Sequence, residues 1–209
     1  MSWHIYPYGL GLDRGGAIPD ALVVFIYDEK ETPCALAEDW AGCFPDAQFS
    51  FLAVDTGMQV LGQSGLERLV NLINWELAWT GLWHDERLVL VGLGIGSHIA
   101  LRLASKCSSC AGVIACGAKF SLGDPAGVLA HIPVRLIRCT LLKNFQAILP
   151  FEHTILHLRR QNADFEAVSV DAAPGEAENV ISRLVENYLS DLLSAAGAAK
   201  VAKARGHFP

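Results

Sequence analysis

The chain has 209 residues, 52% of them hydrophobic and 18% charged, and a formal net charge of −6 at pH 7. That length suits one domain that buries the greater part of its unfolded surface, and so apolar a composition excludes disorder. The negative balance disfavours nonspecific nucleic-acid binding, and the longest apolar stretches, such as Ala21 to Tyr27 and Leu88 to Val91, fall far short of the roughly 20 residues a membrane helix needs.

In chain order, the first residues, Met1-Ser2-Trp3-His4-Ile5-Tyr6-Pro7, lack a basic segment followed by an apolar run, so the expectation is a cytoplasmic protein without a secretion signal. Short β-branched runs then alternate with segments of helical spacing, the pattern of a doubly wound, mostly parallel α/β sheet with helices on both faces. The predicted strands are Ala21 to Tyr27, Phe49 to Val54, Arg87 to Gly92, Ala111 to Cys116, Val134 to Cys139 and Ala167 to Val170. Each is nearly continuous in apolar character, as strands covered on both faces should be. The predicted helices are Ala35 to Cys43, Ser64 to Trp79, Ser97 to Ser105, Glu152 to Gln161 and Glu176 to Leu193, with Pro, Gly or Asp at most junctions. One domain over residues 1–194 and a tail over 195–209 are expected. The tail's Lys200, Lys203 and Arg205 stand among alanines and read as a frayed end.

The most informative segment is Leu88-Val89-Leu90-Val91-Gly92-Leu93-Gly94-Ile95-Gly96-Ser97-His98, a strand, a glycine-spaced turn and the start of a helix. Two motifs have this shape: the nucleophile elbow Gly-x-Ser-x-Gly and the dinucleotide fingerprint Gly-x-Gly-x-x-Gly. The fingerprint fails because Ser97 occupies its third glycine and no Asp or Glu ends the following strand, Val113-Ile114-Ala115-Cys116. No cofactor is expected.

Several segments around the elbow reinforce that reading: Ala21 to Ile26, Asp85 to Gly92, Cys110 to Ile114, Pro133 to Ile137, and the helix Val180 to Leu193. Together, from Ala21 to about Leu193, they resemble the phospholipase/carboxylesterase family of α/β hydrolases. The resemblance implies ester hydrolysis by a serine activated by a histidine that an acid orients, with backbone amides holding the oxyanion.

Each of those parts differs here. Gly94 stands where the serine belongs and has no atom with which to attack. No aspartate occurs from Pro125 to Ala163, where the acid is expected, and Leu142 or Gln146 aligns with it. No histidine lies between His157 and His207, and Gly175 aligns with the catalytic one. The oxyanion loop reads Tyr27-Asp28-Glu29 in place of His-Gly. One such carboxylate at about 5 Å from a developing oxyanion, at an effective dielectric near 20, costs on the order of 3 kcal/mol. The expectation is therefore an elbow without catalysis, whose cleft around Tyr27, Asp28, Glu29, Gly94 and Ile95 takes a small molecule, neutral or cationic, or a protein partner.

An enzymatic alternative needs a displaced machinery. Ser97 or a strand-end cysteine, Cys116 or Cys139, would be the nucleophile and His98 the base. The competing reading of Ser97 is a helix-start residue that caps its own backbone or faces solvent, and that of His98 is a packed structural histidine. The cysteines at 34, 43, 107, 110, 116 and 139 read as reduced, buried thiols. His153 and His157 share a helix face beside Glu152, but no third ligand accompanies them, so no metal site is expected.

In the Ser64 to Trp79 helix, Leu66, Leu69, Val70, Ile73 and Leu77 form the stripe that should face the sheet. At about 100° per residue, Trp75 and Trp79 fall well away from it. Two covers are open: a second copy of the chain in a homodimer, or the N-terminal segment with its Trp3, Tyr6 and Tyr8.

Overall fold

Alternation of apolar side chains along short strands builds the centre of this protein. The computed structural model describes residues 2–6, 9–13, 21–27, 49–55, 63–79, 88–107, 110–117, 129, 131–139, 148–160, 164–170, 180–181, 183–192 and 194. The strands are β1 (Ser2–Tyr6), β2 (Gly9–Asp13), β3 (Ala21–Tyr27), β4 (Phe49–Asp55), β5 (Leu88–Leu93), β6 (Gly112–Cys116), β7 (Val134–Cys139) and β8 (Phe165–Val170). The helices are α1 (Gln63–Trp79), α2 (Ile95–Ala104) and α3 (Ile148–Arg160), followed by a C-terminal helical segment over 183–192.

All eight strands form one sheet in the order β1-β2-β4-β3-β5-β6-β7-β8. From β4 across to β8 every pairing is parallel, while β1 and β2 join antiparallel at one edge. The predicted doubly wound, mostly parallel sheet is therefore observed. Chain order reverses at β3, which has β4 on one side and β5 on the other. That reversal is the switch point at which open α/β sheets leave a crevice beyond their carboxyl ends.

The period of two divides the core. Leu22, Val24, Ile26, Leu88, Leu90, Val113, Ala115, Val134 and Leu136 pack with α1, α2 and α3 on one face. Val23, Phe25, Val89, Val91, Ile114, Cys116 and Ile137 pack with Val185, Tyr188, Leu189 and Leu192 of the C-terminal segment on the other. Each large aliphatic side chain so buried contributes about 1.5 to 3 kcal/mol. Leu66, Leu69, Ile73 and Leu77 are the buried stripe of α1, as its periodicity predicts.

Boundaries moved where tertiary contacts outweighed local pattern. α2 begins at Ile95 and not at Ser97, because the elbow passes from strand to helix within one residue. α3 begins at Ile148 and not at Glu152, and it accommodates Pro150 in its first turn, where a missing N–H costs nothing. The β1–β2 hairpin went unpredicted: Gly9 and Gly11 weaken any strand signal, and pairing with β4 supplies what propensity does not. Trp75 and Trp79 are 63% and 62% exposed, as the helical arithmetic predicts.

The predicted helix over Ala35 to Cys43 and the tail beyond residue 194 lie outside the described residues. Among the described residues, no helix is long and apolar enough to cross a membrane.

Candidate functional site

The switch point, where open α/β sheets bind ligands, lies between the carboxyl ends of β3 and β5. Ile26 pairs in register with Gly92, and on the other flank Tyr27 pairs with Asp55, the last residue of β4. Leu93 pairs with Cys116, which brings the end of β6 to the same edge. Between β5 and α2 stands Gly94, with φ 58° and ψ −121°, the torsions of the first central residue of a type II′ turn. Such a positive φ is open to glycine and strained for other residues.

Three sets of hydrogen bonds hold this turn. The Gly94 N–H donates to the Cys116 carbonyl at 2.9 Å, and the Ser97 N–H donates to the Gly94 carbonyl at 3.2 Å. The Ser97 hydroxyl lies 2.8 Å from the Gly92 carbonyl and 2.5 Å from that of Cys116, so its single proton is shared between the ends of two neighbouring strands. Close approach does the rest. A Cβ at Gly92 would lie 2.5 Å from the Gly96 carbonyl oxygen and 2.6 Å from the Ser97 nitrogen, so α2 is seated directly on the strand backbone.

Gly94 contrasts with Gly92. It is exposed, and a Cβ built there meets nothing within 4 Å. The space in which an elbow serine would stand is therefore open, with the first turn of α2 beside it. The N–H groups of a helix's first turn lack intrahelical partners and carry the positive end of its dipole.

Ser97 is neither the capping nor the solvated residue that the helix pattern predicts. The N-cap of α2 is Gly94, which makes no side-chain capping bond, and Ser97 is 0% exposed. Its hydroxyl is a strut between β5 and β6 and offers no open face from which to attack a substrate. His98 follows it, half-buried, in the same turn of α2. Cys116 is 6% exposed and packs on the sheet face opposite α2. Of Cys139, Tyr27 and Ile95 only the backbone is described, at the ends of β7 and β3 and the start of α2 respectively. Asp28 and Glu29 lie outside the described residues, as do the segments holding Leu142, Gln146 and Gly175.

The remaining sequence candidates scatter. Cys107 and Cys110 are reduced, and the Cys110 Sγ sits 3.3 and 3.2 Å from the Leu88 and Gly112 carbonyls, at the end of β5 opposite the elbow. His153 and His157 are half-buried on α3. Glu152 is engaged by Arg138 at 3.9 Å, and no group of three metal-ligating side chains occurs among the described residues. Near the amino ends of β7 and β8, Arg135 bridges Asp164 and Glu166, and the Tyr188 hydroxyl donates to Glu166 at 3.0 Å. Burial, reinforced by the adjacent Glu166 carboxylate, pushes the Tyr188 hydroxyl up to about 12. This network ties the C-terminal segment to the edge strand and stands away from the crevice.

Two features of the edge escaped the sequence reading. Asp55 closes β4 beside Tyr27, and Gly117, with φ 72°, turns the chain away after β6 while its N–H donates to the Ile137 carbonyl at 2.8 Å. The signal for Gly117 was a glycine one residue past a predicted strand. Asp55 gave only a carboxylate after an apolar run.

Neither protein-family models nor curated proteins match the sequence. Solved structures do resemble the fold. The dienelactone hydrolase of Anabaena variabilis ATCC 29413 superposes with a TM-score of 0.65 at 17% identity, over 88% of this chain and 90% of that one. The carboxylesterase of Mesorhizobium loti gives 0.64 at 14% identity, over 85% and 93%. The phospholipase/carboxylesterase of Dyadobacter fermentans DSM 18053 gives 0.61 at 15% identity, over 88% and 98%. At such identities the shared property is architecture, and the parallel sheet with its reversal at β3 and its one-residue elbow matches the α/β-hydrolase fold.

Proposed function

We propose that this chain is a non-catalytic descendant of a carboxylesterase-like protein, and that it uses the crevice at the carboxyl ends of β3 and β5 to bind a small molecule or partner. One observation carries the reading. Gly94 keeps an elbow's torsions and an open space above its Cα, yet brings no nucleophile into that space. A fold retaining such a crevice without the attacking atom is suited to holding a ligand. The carboxylates of Asp28 and Glu29, which directly follow β3 in the sequence, favour a neutral or cationic one.

The test is hydrolysis of p-nitrophenyl butyrate by purified protein, with a heat-denatured sample as the blank. The expected result is no release above the blank, together with saturable binding of a neutral apolar dye such as Nile red that is lost in Gly94→Phe. Saturable hydrolysis would overturn the proposal in favour of a carboxyl-ester hydrolase with a displaced nucleophile. Cys116 and Cys139 would then be replaced first, because the Ser97 hydroxyl is enclosed.

A further inference from the structure

β7 carries two arginines although it has a neighbouring strand on each side and apolar core on each face. Their surroundings differ. Arg135, near the amino end, lies 3.4 Å from Asp164 and 3.8 Å from Glu166, and its Nη1 also donates to the Val134 carbonyl at 3.3 Å. Arg138, near the carboxyl end, reaches α3, where its guanidinium lies over the Phe151 ring at 5.5 Å from the centroid and Nη1 stands 3.9 Å from the Glu152 carboxylate. That distance is too long for a hydrogen bond. The Arg138 Nε is buried and has no acceptor.

We propose that Arg138 holds the oxyanion of a ligand, a carboxylate or a phosphoryl group, on its Nε–Nη2 edge. A buried N–H without an acceptor costs stability, more so on a charged group, and native folds keep few of them. Open α/β sheets bind ligands outside the carboxyl ends of their strands. Arg138 is one residue from that end of β7, and Arg135 is one residue from the other. The arginine remote from ligands is thus paired within the chain, while the one at the ligand-binding end keeps an edge unfilled. Stacking on Phe151 fixes the plane of that edge. A guanidinium so fixed presents two parallel N–H groups, which match two oxygens of one oxyanion. Glu152 stands on the other side, at Nη1, and does not fill the Nε edge.

This site stands apart from the elbow. β7 is two strands from β5, about 10 Å across the sheet, so the proposal does not rest on binding at Gly94. The Arg138 side chain is 26% exposed, which leaves an approach from solvent to a guanidinium whose Nε is covered. The shape of the edge sets the ligand class: a monatomic anion fills one N–H well, whereas a carboxylate or phosphoryl group fills two.

The experiment is isothermal titration of the full chain with sodium acetate and, separately, with inorganic phosphate, at an ionic strength held constant with sodium chloride. Saturable binding in the millimolar range is expected for at least one, and the tighter probe tells a carboxylate site from a phosphoryl site. Arg138→Lys keeps the charge but loses the planar edge, and should weaken binding by about tenfold; Arg138→Gln should abolish it. Arg159→Gln removes the same charge from an exposed position on α3 and should leave binding unchanged. Circular dichroism establishes that each variant folds, and the lysine variant carries the test if the glutamine one does not. No saturable binding of either probe would overturn the proposal, and so would wild-type affinity in the folded Arg138→Lys variant. An equal loss in Arg159→Gln would also overturn it, by making the binding a matter of net charge.

Discussion

The elbow between β5 and α2 and the outer face of α1 are built on opposite terms. At the elbow, the Ser97 hydroxyl and the Gly94 amide tie two strand ends and a helix together, and Gly92 leaves no room for a methyl group. On α1, two large aromatic side chains stand mostly in solvent. The elbow is over-determined by backbone contacts, so its conformation survives even though the residue at its apex is Gly94. The α1 face is set by helical periodicity alone, which turns Trp75 and Trp79 away from the buried stripe of Leu66, Leu69, Ile73 and Leu77. Within the elbow the same contrast recurs on a smaller scale: Gly92 is demanded by packing, and Gly94 by torsion alone.

That contrast orders the expected effects of substitution. Gly92→Ala should be the most damaging, because its methyl group meets the backbone of Gly96 and Ser97 and not a flexible side-chain end. A loss of about 3 kcal/mol is expected in urea denaturation. Near-wild-type stability would show that α2 lifts off the strand easily.

Ser97→Ala comes next. It withdraws the donor shared by the Gly92 and Cys116 carbonyls in a site without solvent exposure. The expected loss is about 2 kcal/mol by the same measurement. Any hydrolytic activity the protein has should be the same per folded molecule. Activity that vanished while stability held would make Ser97 a nucleophile and not a strut.

Gly94→Ala should cost least, about 1 kcal/mol for the positive φ, since the open space around its Cβ absorbs the methyl group. If it proved as costly as Gly92→Ala, the elbow would be held as tightly above its apex as below it, and the crevice would not be open.

Much of the architecture was legible in the chain itself. Continuous apolar runs such as Leu88 to Val91 have one stable use in a chain of this charge, as strands covered on both faces, and the α1 stripe at Leu66, Leu69, Ile73 and Leu77 follows from a period of 3.6. The spacing of Gly92, Gly94 and Gly96 by itself marks the elbow. The exposure of Trp75 and Trp79 followed from the same helical arithmetic.

The fate of Ser97 was not legible, because a serine near a helix start has the same local sequence whether it caps, faces water or reaches across to another strand. The carbonyl of Cys116, nineteen residues away, decided it. The β1–β2 hairpin was hidden for a related reason: its glycine-weakened strands are held by pairing with β4, which is a long-range contact. Local pattern determined the parallel strands from β3 to β8, the body of the helices and the core stripe of α1, since burial and periodicity act over a few residues. Tertiary structure alone decided which strand ends meet at the crevice, where the Ser97 hydroxyl points and which glycine has room for a side chain, because those are distances between segments far apart in the chain.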